Sequence, residues 1–203
     1  MKSWILILFL LTNRIDLFAQ LPSFQHNYSR EDTVNNKVFN HFSENYDFVI
    51  SQNVSSYWWS GRDYYQILTH SDSGWSAWLY KNFEVKKKNG SKKLININNA
   101  KIVPGQFRKI KSFTNDNAVK YLFDSLKLFN FFSLQNDSLN ADRGLPVFDL
   151  AYYRFDIITK KKSRVISSYA PDFYFKQFPD MTDRRNFIFS RNCFDRWWNL
   201  YCY

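Results

Sequence analysis

Residues 64–85, YYQILTHSDSGWSAWLYKNFEV, contain the pattern that decides the fold. Two runs rich in aromatic and β-branched residues, 64–70 and 75–85, are separated by Asp72-Ser73-Gly74. Asp, Ser and Gly favour tight turns, so this stretch predicts two antiparallel strands joined in a hairpin. The hairpin is the unit from which the rest of the fold is interpreted.

Further strands are predicted on both sides of this hairpin, and Asn89-Gly90 is the strongest turn signal among them. Helical periodicity replaces the strand pattern at three places, near the start, the middle and the end of the chain. These helices are predicted to begin after Asp32 or Thr33, after Asn115 or Asp116, and at Thr182. The apolar stripe of the middle helix consists of Val119, Leu122, Phe123, Leu126 and Phe129.

The order of these elements predicts an α+β fold, a mostly antiparallel sheet of hairpins with two or three packed helices. A small barrel or half-barrel with a helix across it is the alternative. The composition agrees with a globular domain, since 45% of the 203 residues are hydrophobic while Gly, Pro and Cys number only 5, 5 and 2. These values exclude a disordered chain, a fibrous protein and a disulfide scaffold.

The N-terminus has the pattern of a secretory signal peptide. A basic Met1-Lys2 precedes eight apolar residues at 4–11, WILILFLL, and a small residue, Ala19, suits the position before cleavage. This leader resembles Sec leaders of Gram-negative bacteria, many of which end in Ala-Gln. We therefore expect residues 1–19 to be removed and 20–203 to form a single exported domain, periplasmic or extracellular. No Cys lies near the end of the apolar run, so no lipid anchor is expected, and no membrane span is expected in the mature chain. A buried N-terminal strand is the alternative.

Export makes a disulfide between Cys193 and Cys202 chemically accessible. The two residues are nine positions apart, and inside one helix they would lie about 13 Å from each other at a rise of about 1.5 Å per residue. A disulfide therefore requires the last helical turn to unwind. Two separate thiols are the equal alternative.

Tryptophan and tyrosine occur in dense clusters, and aromatic residues make up 20% of the whole chain. The clusters lie at 57–59, 64–65, 75–80 and 197–198. Strand alternation places Trp75 and Trp78 on opposite faces of one strand, so both faces of the predicted sheet are aromatic. One interpretation is an open platform of Trp58, Trp59, Trp75 and Trp78 that stacks on sugar rings. The other is a core on both sides of the sheet, and AT-rich codon usage accounts for part of the aromatic surplus.

Positive charge is concentrated in residues 84–111, which hold nine Lys or Arg residues against Glu84 alone, in a chain of net charge +10. One interpretation is solvated hairpin tips that protect edge strands from aggregation. The other is a contact surface for an envelope glycan, an anionic lipid headgroup or an acidic protein, with nucleic acid disfavoured by the leader. We name this segment the basic strip, and its candidate contact residues are Lys86, Lys87, Lys88, Lys92, Lys93, Lys109 and Lys111.

The sequence contains no HExxH, CxxC, Walker, GxGxxG or GxSxG motif, so it predicts no catalytic residue, metal site or cofactor. The first hypothesis is an exported, non-enzymatic binding protein that uses an aromatic face and the basic strip. The second is an envelope hydrolase acting on glycan or peptidoglycan through a carboxylate pair, or through His70 with a carboxylate. The third is a helper or immunity-type inhibitor protein. The carboxylates considered for the hydrolase are Asp47, Asp63, Glu84 and Asp149.

Overall fold

A six-stranded antiparallel sheet with the strand order β4-β3-β2-β1-β5-β6 forms the middle of the fold. The structure is a computed structural model that describes residues 21–24, 35–56, 59, 61–84, 100–141, 147–148, 150–160 and 162–203. The strands are β1 (Phe48–Ser56), β2 (Tyr64–Ser71), β3 (Gly74–Glu84), β4 (Lys101–Ser112), β5 (Ala151–Ile158) and β6 (Ser163–Tyr169).

Among the described residues, five α-helices accompany the sheet, and Phe131–Ser133 form a turn of 3-10 helix. The α+β prediction is therefore confirmed. No helix among the described residues is long and apolar enough to cross a membrane. The helices are α1 (Lys37–Phe42), α2 (Asn117–Leu128), α3 (Asn136–Asn140), α4 (Pro171–Gln177) and α5 (Thr182–Tyr201).

The predicted hairpin is formed by β2 and β3, which pair from Tyr64 opposite Lys81 to Ser71 opposite Gly74. Gly74 has a φ of 90°, in the left-handed region that favours glycine, so this residue allows the chain to reverse within a short loop. The second predicted hairpin, at Asn89-Gly90, lies outside the described residues.

Helices α2 and α5 cover one face of the sheet and bury its main core. The predicted stripe of α2 is buried from Val119 to Leu126, while Phe129 follows the helix as its C-cap and is half-buried. Phe48 and Trp75 from the sheet contact Phe123 edge-on, at centroid distances of 5.6 and 5.2 Å. The α5 side chains in this core are Phe187, Phe194, Trp197 and Trp198.

The short helix α1 packs on the other face of the sheet. Its Val38 and Phe42 are fully buried in a second cluster together with Val49, Ile67 and Ile158 from three strands. Both faces of the sheet therefore carry a core. This is the arrangement that the two-sided interpretation of the aromatic pattern requires.

The two edges of the sheet, β4 and β6, differ in how they end. Asn136 of α3 donates from Nδ2 to the Val165 carbonyl and accepts from the Ser167 N–H, so its side chain substitutes for a neighbouring strand. Asn140 adds a hydrogen bond to the Ser167 carbonyl.

Within the described residues β4 pairs with β3 alone and never with β6. The sheet is thus open and the barrel alternative is wrong.

Candidate functional site

A groove of about 450 Å³ lies along β3 and β4, on the face of the sheet that carries α2 and α5. Alternation along β3 directs Leu79, Lys81 and Phe83 to this face. Opposite them, β4 is irregular, because residues 103–105 face only Asn82 of β3. The groove is lined by Leu79, Lys81, Phe83, Glu84, Lys101, Val103, Pro104, Gln106 and Arg108.

Gly105 lies in the irregular part of β4 and is closely approached by the Tyr80 side chain. A Cβ atom at this position would lie 1.9 Å from the Tyr80 hydroxyl oxygen, so a larger residue would displace either the tyrosine or the strand. Bulges bend a strand and redirect its side chains. Here the bulge brings Val103 and Pro104 to the groove, on the strand that also supplies Arg108.

The groove combines an apolar base with positive charge. Leu79 and Phe83 are 7% and 5% exposed, whereas the side chains of Lys81, Lys101 and Arg108 are open to solvent. None of these three cations forms an ion pair within 4.0 Å with a described acidic residue. The one carboxylate in the lining belongs to Glu84, the cross-strand neighbour of Lys101. The described lining of the groove therefore carries a net positive charge above apolar surface.

The three described members of the predicted tryptophan platform, Trp59, Trp75 and Trp78, do not form one exposed surface. Trp75 is 1% exposed and belongs to the core, so its assignment as a ligand-contacting residue is wrong. Trp78 points to the opposite face, where it is half-buried and donates from Nε1 to the Thr69 hydroxyl over 3.1 Å. Trp59 is half-buried in the turn between β1 and β2, and Trp58 lies outside the described residues.

What remains of the aromatic face is a partly exposed patch between β3, β4 and α1. His41 stacks on Phe107 with ring centroids 4.1 Å apart, and the Lys109 ammonium lies 5.7 Å from the centroid of the Trp78 ring. Burial lowers the pKa of His41, which favours the neutral form of the stacked imidazole. The patch is on the opposite side of the sheet from the groove.

The described part of the basic strip is divided between these two faces. Lys109 lies over Trp78, whereas Lys111 donates to the Tyr201 carbonyl over 2.8 Å at the end of α5. A cation is favourable there because the C-terminus of a helix carries partial negative charge. Lys111 therefore has a structural contact as well as its charge. The remaining candidates of the strip, Lys86, Lys87, Lys88, Lys92 and Lys93, lie outside the described residues.

The two cysteines are free thiols, so the disulfide alternative is wrong for this structure. Cys193 lies inside α5 and Cys202 follows it directly, and the helix between them does not unwind. Burial raises the pKa of the Cys202 thiol to about 11 and also raises that of Cys193. Both thiols are therefore protonated at neutral pH and react slowly.

The three described carboxylates among those considered for hydrolysis, Asp47, Asp63 and Glu84, lie in separate places. Asp63 pairs with Lys37, and Asp47 pairs with Lys160 over 3.1 Å. His70 Nδ1 is 3.8 Å from Asp47 Oδ2, which is too long for a hydrogen bond. Glu84 lines the groove without a second carboxylate among the described residues, and Asp149 lies outside them. No group of three or more described His, Cys, Asp or Glu residues could hold a metal ion.

Lys81, Lys101 and Arg108 are the groove residues that the sequence did not single out as contacts. Lys101 and Arg108 contribute to the charge of segment 84–111, and Lys81 lies three residues before it. The sequence signal that could have identified Lys81 is strand alternation, which places it on the same face as Leu79 and Phe83. The amino-acid sequence matches no known protein-family model and no curated protein.

Proposed function

We propose that this protein is an exported, non-enzymatic binding protein that accommodates an acidic partner in the β3–β4 groove. The observation that carries the proposal is one groove that combines a buried apolar base with three cations, none of which is ion-paired with a described acidic residue. Solvated hairpin tips need no apolar base beneath them. An acidic polymer with apolar groups between its charges would satisfy both parts of the lining.

The edge position of β4 favours an acidic polypeptide over a glycan. An extended peptide can add to a strand edge through its backbone while alternate side chains enter pockets beside that edge. The other edge, β6, is already occupied by Asn136 and Asn140. Lysines on an exposed edge strand also disfavour pairing with a second copy of the same chain. An inhibitor or helper protein that contacts an acidic enzyme is one form of this function.

The test measures binding of a peptide with alternating Glu and Val residues. Replacing Lys81, Lys101 and Arg108 with Gln should weaken its binding about tenfold, since exposed ion pairs contribute roughly 0.2–1 kcal/mol each. The wild-type affinity should also fall as salt is added.

The matched control replaces the exposed Lys120, Lys127 and Arg196 of α2 and α5 with Gln. This variant undergoes the same change in net charge without touching the groove, so its affinity should stay close to the wild-type value. Equal weakening by both triple variants would contradict the proposal. If the protein binds an acidic polysaccharide more tightly than the peptide, the groove remains the proposed binding site but its ligand is a glycan.

A further inference from the structure

A second cavity, of about 290 Å³, lies at the opposite end of the sheet from the groove. It is formed where the described N-terminal residues, the 3-10 helix and β6 meet. Its volume is near the lower limit of roughly 300 Å³ for small-molecule sites. The lining consists of Ser23, Phe24, Phe132, Ser133, Gln135 and Arg164.

Arg164 is the unusual member of this lining, because its side chain is only 1% exposed. NH1 donates to the Phe132 carbonyl over 2.9 Å and NH2 donates to the Leu134 carbonyl, but Nε–H has no acceptor among the described residues. No described carboxylate lies within ion-pair distance of this guanidinium. Burial accordingly lowers its pKa.

A buried charge is costly unless an opposite charge and hydrogen bonds compensate it. The two carbonyl groups supply partial negative charge and orient the guanidinium, but they do not neutralise it. A ligand carrying one negative charge would complete the compensation. The rest of the lining provides the exposed hydroxyls of Ser23 and Ser133 and the amide of Gln135.

We propose that this cavity binds a small organic monocarboxylate whose charge compensates Arg164. Guanidinium and carboxylate groups match in geometry and form charge-assisted hydrogen bonds. The rings of Phe24 and Phe132, each 7% exposed, provide contact for the apolar part of the ligand. A single cation and two aromatic rings suit a monoanion with an apolar body better than inorganic phosphate. The site is independent of the β3–β4 groove.

The experiment titrates the whole mature protein with acetate, isobutyrate and benzoate, and in parallel with the corresponding neutral amides and with inorganic phosphate. The Nε–H resonance of Arg164 reports directly on the site in nitrogen-edited NMR spectra. We expect it to shift with at least one carboxylate at an apparent affinity about tenfold higher than that of the matching amide. The melting temperature should rise with the same carboxylate, because a ligand that binds only the folded state stabilises it.

Ser133→Trp places a large ring at the rim of the cavity without altering Arg164 and should abolish the shift. Asn199→Trp is the matched control, at an exposed position of α5 outside the lining, and should leave the shift unchanged. Arg164→Lys tests the guanidinium itself and should lose binding where it folds. An Arg164 resonance that no carboxylate moves, that amides move equally, or that still moves in Ser133→Trp would overturn the proposal and leave Arg164 a structural cap of the 3-10 helix. A response to phosphate alone would replace the carboxylate assignment.

Discussion

At the scale of single residues, Asn36 links helix capping to the attachment of α1 on the sheet. Its Oδ1 accepts hydrogen bonds from the N–H groups of Val38 and Phe39, each over 3.0 Å. Its Nδ2 donates to Asp156 Oδ1 on β5 over the same distance. One amide side chain thus satisfies the start of a six-residue helix and holds it against the second face of the sheet.

Asp156 is the acceptor that makes this attachment work. It is fully buried and also accepts from Ser51 Oγ and from Arg154 through two nitrogens, at 2.9 and 2.8 Å. A buried carboxylate is tolerated when such hydrogen bonds and an opposite charge surround it. The polar cluster therefore belongs to the structure of the α1 face.

Asp156→Ala should destabilise the folded protein by about 3 kcal/mol, measured by urea denaturation. The value is at the lower end for a broken buried ion pair because the Arg154 side chain is 29% exposed and water can reach it. Asp124→Ala, at an exposed carboxylate of α2, is the control and should change the stability by no more than about 0.5 kcal/mol. Similar values for both variants would mean that Asp156 does not anchor α1.

At the scale of elements, the long helical patterns and the short helix near the start were predicted, whereas two other short helices were missed. The periodic stripe predicted α2, and Thr182 is the first residue of α5 as expected. Residues 136–146 are mostly polar and show no helical apolar period, which is typical of a loop, yet residues Asn136–Asn140 form α3. Helix α4 begins at Pro171, a favoured first residue, but seven residues are too few to show a helical stripe. Such short helices depend on their tertiary contacts.

Helix α3 protects the edge of the sheet, because its Asn136 side chain forms hydrogen bonds with backbone groups of β6. Asn136→Ala removes one donor and one acceptor from that edge and should cost about 1–2 kcal/mol of unfolding free energy. The amide of Ser167 should exchange its hydrogen faster, since Asn136 Oδ1 is its acceptor. Asn199→Ala on the surface of α5 provides the comparison. Unchanged exchange at Ser167 would show that the edge is protected by something other than α3.

At the scale of the whole molecule, the two ends of the sheet have different chemistry. The β4 end carries exposed cations beside a groove, and the β6 end is closed by amide side chains. Such an asymmetric charge distribution orients an acidic partner during its approach and raises the association rate at low salt. The proposed binding face therefore lies at one end of the molecule.

Export is also a property of the whole molecule, and the proposed function requires it because the proposed partner lies outside the cytoplasm. Expression with the complete leader in a Gram-negative host should yield a mature chain that begins at Gln20. N-terminal sequencing and intact mass of the periplasmic fraction measure this. Replacing Ile5 and Leu8 with Asp interrupts the apolar run and should retain the unprocessed chain in the cytoplasm. An intact chain beginning at Met1 in the wild-type periplasm would contradict the processing site.

Local chemistry by itself determined the hairpin at Asp72-Ser73-Gly74, the long helices, the alternation of Trp75 and Trp78, and the α+β class. These features depend on the period of the side chains and on turn residues that are close together in the sequence. Local sequence patterns are therefore sufficient to predict them. The same reading also located the excess positive charge between residues 84 and 111.

Only the tertiary structure decided which aromatic residues are covered and which charges share a site. Trp75 is in the core because α2 packs on its face of the sheet. Trp78 is half-buried because it packs against α1, a helix that lies more than 30 residues earlier in the sequence. Lys81, Lys101 and Arg108 meet through strand pairing and a bulge at Gly105. Arg164 appears in the sequence as an ordinary turn-flanking cation, and its burial follows from distant residues such as Phe24 and Phe132. These environments are set by packing between residues that are far apart in the sequence, and the local periodicity of the sequence does not predict such packing.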